Sequence, residues 1–201
     1  TLATGAALAA LILTFAPLSG AHLNPVVSLS EAISGNFAWR EVPTFLVAQI
    51  AGAFSGVASA HFMFGLPLFF TSQHVRSGPA QLWSEFIATF GLIAVIHAVS
   101  RSRPPAVPYA VAAYITAAYW FTASTSFANP AVTLARAASD TFAGIRPADA
   151  PGFLVAQLAG AIAATFAFQW FLRKEIPCQA PTTSFSSARE IPPAPSWPKP
   201  S

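Results

Sequence analysis

The sequence predicts an all-α membrane protein with five spanning helices and two re-entrant half-helices, arranged as an inverted repeat. Three observations carry this expectation. Of 201 residues, 54% are apolar and only 8% are charged, and the apolar residues gather in runs of about 20, the length that crosses a hydrocarbon core. The segment Asn24-Pro25-Val26-Val27-Ser28-Leu29 returns 105 residues later as Asn129-Pro130-Ala131-Val132-Thr133-Leu134. A second segment, Phe45-Leu46-Val47-Ala48-Gln49-Ile50-Ala51-Gly52-Ala53, returns 108 residues later as Phe153-Leu154-Val155-Ala156-Gln157-Leu158-Ala159-Gly160-Ala161. The chain is therefore an internal duplication.

Taken in order, the first spanning run covers 1–18, where leucine, isoleucine and alanine stand without a charge. The loop Ser19-Gly20-Ala21-His22-Leu23 leads to a half-helix over 24–34, in which Asn24 suits the N-cap and Pro25 the first helical position. Further spans are expected over 42–64, 82–100, 106–123 and 152–172. The second half-helix, 129–139, follows the loop Ser124-Thr125-Ser126-Phe127-Ala128 and starts on Asn129 and Pro130 in the same way. A buried helix of a soluble domain accounts for one such run, but five with almost no charged face leave too little polar surface. The organisation is a first repeat over 1–63, a connecting loop over 64–81, a second repeat over 82–172 and a tail, 173–201, whose Pro/Ser-rich composition predicts disorder.

Subtracting the repeat offset puts the counterpart of 82–100 before Thr1, so the expectation is of a longer parent carrying one more spanning helix. Three spans per repeat, an odd number, turn the second copy upside down. Arg40, Arg101, Arg103, Arg173 and Lys174 then share one face, expected to be cytoplasmic, against Arg76, Arg136 and Arg146 on the other. A net charge of +3 is too small to suggest nucleic acid, and the lone Cys178 supplies neither a disulfide nor a thiolate metal site. His61, His74 and His97 lack ligand spacing, so no metal or cofactor is expected. No nucleophile–base or acid pair converges, which argues against an enzyme.

About 11 residues of helix rise about 16 Å, half of the core thickness, so two half-helices entering from opposite faces meet at the midplane and complete one span. The loops before them run without helix at membrane depth, which is tolerated only where backbone is buried or lines a wet cavity. Their carbonyls offer acceptors to a passing solute. The Asn24 and Asn129 amides cap through oxygen and leave NH2 donors for the lumen, while two helix N-termini oppose cations there.

On these residues the chain resembles the aquaporin (major intrinsic protein) family. Ser19-Gly20-Ala21-His22-Leu23-Asn24-Pro25-Val26 is similar to that family's first signature and Asn129-Pro130-Ala131 to its second, and the likeness spans about residues 1–172. It implies a passive channel for small neutral solutes, in the inner membrane as a multi-pass homotetramer, with Asn24, Pro25, Val26, Asn129, Pro130 and Ala131 at the pore midplane. Val26 departs from the usual Ala. Carried over by ungapped spacing, the selectivity filter falls on Thr4, Ala117, Ser126 and Val132, and Val132 stands where most of the family has Arg. The resemblance thus implies a wide, uncharged constriction. Glu85 matches the family's buried glutamate that holds a pore loop, and His22 a position whose carbonyl faces the pore while its ring packs behind. The run Asn129 to Arg136 is similar to bacterial aquaporins associated with arsenic-resistance operons, which implies undissociated arsenite as cargo beside glycerol and water.

Arg136 either reaches the outer vestibule in place of the lost Arg or pairs with Asp140 at i+4, and helix-surface chemistry favours the pair. Gln49 and Gln157, at matching repeat positions, are expected to bond between helices, and Gly52-x-x-x-Gly56 and Gly160-x-x-x-Ala164 to permit close helix contact. The rival readings are a secondary transporter, which needs Glu85 or a histidine exposed to the pathway, and a truncated paralogue that does not conduct.

Overall fold

The computed structural model describes residues 1–173, and the expectations for the Arg173 side chain, Lys174, Cys178 and the tail lie outside the described residues. Seven helices follow one another: α1 Leu2–Ser19, α2 Pro25–Ile33, α3 Val42–Met63, α4 Pro79–Ser102, α5 Val107–Phe121, α6 Pro130–Arg136 and α7 Ala150–Arg173. Short 3₁₀ turns at Trp39–Glu41 and Pro104–Ala106 lead into α3 and α5. Four of the helices, α1, α3, α4 and α7, are long and apolar enough to cross a membrane by length and composition. The fifth expected span is shorter than read from sequence: α5 has 15 residues, because Pro104, Pro105 and Pro108 hold its start in a tighter turn. With that turn it still extends to about 28 Å.

Both half-helices begin as their sequence dictates and end differently. The Asn24 side chain accepts from the Val26 N–H at 3.1 Å, and the Asn129 side chain accepts from Ala131 at 3.0 Å and Val132 at 3.3 Å. α2 runs nine residues, close to the expected 24–34. α6 stops after seven, well short of residue 139. The cause is competition for its last carbonyls. The Ala137 and Ala138 carbonyls accept from Ser72 and Phe70 of the connecting loop, and the Arg136 carbonyl accepts from Ser139 and Ile145. Those acceptors are then lost to the i→i−4 ladder.

Topology sets the two half-helices at opposite ends of α3. Eight residues join the end of α2 to the start of α3, whereas the end of α6 is bonded to the loop that follows α3. A 22-residue helix separates these points by about 33 Å. Packing is tightest between α4 and α7, where a Cβ on Gly160 would run into the Phe86 backbone carbonyl. One core cluster joins Ile12, Ala88, Leu92, Val111, Ile115 and Ala128, and a second sets Val26 against Ile93, Ala161 and Ala164. The outer surface is apolar, with Trp83, Phe166 and Val155 well exposed, as lipid contact requires.

Candidate functional site

The two asparagines lock the repeats to each other. The Asn24 amide NH2 donates to the Ala128 carbonyl at 2.7 Å, and the Asn129 amide NH2 donates to the Leu23 carbonyl at 3.0 Å. The expectation that both NH2 groups serve the lumen is corrected here, since one N–H of each is committed to the opposite loop. An amide has two such hydrogens, and both residues still line the cavity at this junction.

That cavity, about 390 Å³, runs between α1, α2, α4, α5, α6 and the two loops. Thr4, Ser126 and Val132 line it, as do His22, Asn24, Asn129 and Arg136. Pro25, Val26, Pro130 and Ala131 do not; Val26 and Ala131 are buried behind it and brace the half-helices. Ala117 does not line it either and is exposed on another side of α5. The stripe of α5 facing the cavity is Val107, Val111, Ile115 and Tyr119. Ala117 stands two residues from Ile115, about 200° around the helix, so the ungapped carry-over lands off this stripe.

The loops carry left-handed backbone at Gly20, Ala21, Thr125, Ser126 and Ala128. For residues with a Cβ this conformation persists only where surroundings hold it. Around the second loop they do. Glu85 is fully buried, and its two carboxylate oxygens accept from the Phe127 and Ala128 N–H groups, both at 2.8 Å. Gln157 donates to the same carboxylate at 2.7 Å and to the Thr133 hydroxyl at 2.9 Å. Gln49 makes the matching bond to Ser28 at 2.9 Å, but its other contact is the His22 carbonyl. The His22 ring packs edge-on against Phe37 and Phe45.

A second clamp escaped the sequence reading. Arg76, in the connecting loop and 6% exposed, donates to the carbonyls of Gly144, Ser124 and Phe142 at 2.7, 3.0 and 3.1 Å, and to the Thr125 hydroxyl at 3.3 Å. Burial, and then repulsion from Arg136, push its pKa below the ordinary guanidinium value. Its backbone N–H is held by Asp149, which Arg146 bonds at 2.8 Å. Only the isolated charge could have been read beforehand, because these contacts cross some 50 to 70 residues of chain.

Arg136 is not held by Asp140. The Asp140 carboxylate accepts from the Gln73 N–H at 2.8 Å, whereas the Arg136 guanidinium lies 4.4 Å from the Phe127 ring centre and reaches the Tyr119 hydroxyl at 3.4 Å. Among the described residues no group of three His, Cys, Asp or Glu is placed to hold a metal ion.

Comparison with known proteins agrees with this geometry. A family model described as Major intrinsic protein matches residues 1–106. Aquaglyceroporin AqpS of Rhizobium meliloti (strain 1021) is 54% identical over 177 residues, covering 88% of this chain and 76% of its own length. Aquaporin NIP1-3 of Oryza sativa subsp. japonica is 37% identical over 101 residues, covering 49% of this chain and 35% of its own. Among solved structures, the X-ray structure of the aquaglyceroporin from Plasmodium falciparum is similar with a TM-score of 0.66 at 26% identity, covering 88% of this chain and 81% of that one.

Proposed function

Because the chain belongs to the major intrinsic protein family, whose members are multi-pass membrane channels and not enzymes, we propose that it is a passive pore for small neutral solutes, glycerol and undissociated arsenite among them. The observation that carries this reading is the composition of the cavity beside the second half-helix. Thr4, Ser126 and Val132 face it with small uncharged side chains, the Arg136 guanidinium on the Phe127 ring and Tyr119 hydroxyl belonging one turn beyond Val132, so exclusion by size at the level of Val132 is weak. The aquaglyceroporin names of two relatives support a solute larger than water.

A coupled transporter needs a titratable or ion-binding group in the pathway. Glu85, the carboxylate inside a spanning helix, is fully buried and has both oxygens engaged by N–H donors, and of the titratable groups that do line the cavity Glu31 accepts from the Asn36 amide while the His22 ring packs edge-on against Phe37 and Phe45. This favours the channel. We read 1–63 and 82–172 as inverted repeats joined by 64–81, Asn24 and Asn129 as the midplane pair, and the protein as a homotetramer of the inner membrane.

The test is solute flux into proteoliposomes, followed by stopped-flow light scattering with glycerol, urea and arsenite. Flux should rise linearly with gradient, without saturation and without dependence on proton or sodium gradients. Saturable, ion-coupled uptake would replace this reading with the transporter.

A further inference from the structure

The repeat places opposite charges at equivalent points of the two pore ends. Val27 and Val132 correspond through the 105-residue offset, and so do Glu31 and Arg136, each one helical turn further from its Asn. All four line the same cavity. Because α2 and α6 end at opposite ends of α3, the carboxylate sits towards one mouth and the guanidinium towards the other.

Arg136 is built into its mouth. The Phe127 ring beneath it belongs to the loop that Glu85 holds, and Tyr119 supplies an oxygen from α5. Arg76 lies 5.0 Å from the same ring centre, and its donors are occupied by loop carbonyls and the Thr125 hydroxyl. A second cation on the same ring repels the Arg136 head away from itself. Asp140, the carboxylate nearest in sequence, is engaged with Gln73. Glu31 at the other mouth accepts an N–H from Asn36 at 2.9 Å.

We infer that Arg136, anchored by Tyr119 and Phe127, is the charge-selecting residue of this pore, supplying one turn further out the cation barrier that Val132 does not, while Glu31 gives the opposite mouth no such barrier. This rests on the channel reading above. A fixed positive charge on the wall of a pore disfavours entering cations and leaves neutral solutes of the same shape almost untouched.

Urea and guanidinium are a suitable pair, being planar and nearly equal in size but differing by one charge. Their fluxes would be measured in proteoliposomes at millimolar gradients for the parent, Arg136→Gln, Arg136→Lys and Glu31→Gln. Arg136→Gln should raise the guanidinium-to-urea ratio roughly tenfold, with urea flux within about twofold of the parent. Arg136→Lys should keep the ratio near parental, and Glu31→Gln should not raise it. Should Arg136→Gln fail to insert, Tyr119→Phe tests the same site, with a smaller rise of the ratio expected from a loosened guanidinium. A parental urea flux with an unchanged ratio in the Arg136 and Tyr119 variants overturns the inference and leaves the channel reading standing. A parent that passes no urea overturns the channel reading itself.

Discussion

The two pore loops of this protein start from nearly the same sequence and are held in place by different means. Each ends in an asparagine that caps its own half-helix and donates across to the other loop. Each has a glutamine on the following long helix that bonds a hydroxyl of the half-helix, Gln49 to Ser28 and Gln157 to Thr133. Beyond that the likeness fails. Ser124, Ser126, Phe127 and Ala128 of the second loop are buried and tied down by Glu85 and Arg76, whereas in the first the His22 carbonyl accepts from Gln49 and the Leu23 N–H turns back on the Ala21 carbonyl. Equal caps make equal helix starts, but a left-handed loop is fixed by whatever receives its N–H and C=O groups.

Behind the second loop the long helices are in close contact: Gly160 of α7 has the α4 backbone pressed against it.

The comparison is broken most severely at Glu85. Replacing it by Leu leaves the Phe127 and Ala128 N–H groups buried without acceptors and takes from the Gln157 amide one of its two, at a cost of about 3–5 kcal/mol. Thermal unfolding in detergent should show a large loss of stability together with loss of flux. Asn24→Asp and Asn129→Asp come next, and they test the symmetric part. Each sets a carboxylate oxygen against a carbonyl of the opposite loop in place of an N–H donor, and each should cost about 2 kcal/mol. Comparable losses in both variants are expected; a loss in only one would mean that the cross-repeat bonds are not equivalent. The smallest effect is at Gly160, where Gly160→Ala forces the α4–α7 contact apart at a cost of about 1–3 kcal/mol. A thermal midpoint unchanged in Gly160→Ala would mean that the α4–α7 contact is looser than this packing.

Much of this was legible in the sequence, and the misses share a cause. The long helices follow from the apolar runs and the half-helix starts from Asn-Pro, because those signals are local. The role of Glu85 came from the resemblance, which matches it to the family's buried glutamate, and not from its place in an apolar span. That of Arg76 was not legible, since its partners lie far along the chain in segments with no periodic pattern. The i+4 pairing of Arg136 with Asp140 presumes a helix that continues, yet α6 ends at Arg136, whose carbonyl goes to Ser139 and Ile145 while the connecting loop takes the next two, of Ala137 and Ala138. The position of Ala117 was inherited through a fixed spacing, whereas the α5 stripe that meets the cavity is set by how that helix is rotated against α1 and α4.

The central claim is that Val132, standing beside Thr4 and Ser126, leaves the pore permissive to solutes larger than water. Val132→Arg tests it most directly, by comparing glycerol and water fluxes in the same proteoliposome preparation. A guanidinium at position 132 adds bulk and donors on the cavity wall, so glycerol flux should fall roughly tenfold or more while water flux changes by less than about twofold. A glycerol-to-water ratio unchanged by Val132→Arg, in a variant that inserts and passes water like the parent, would contradict the claim and place the size barrier elsewhere along the cavity.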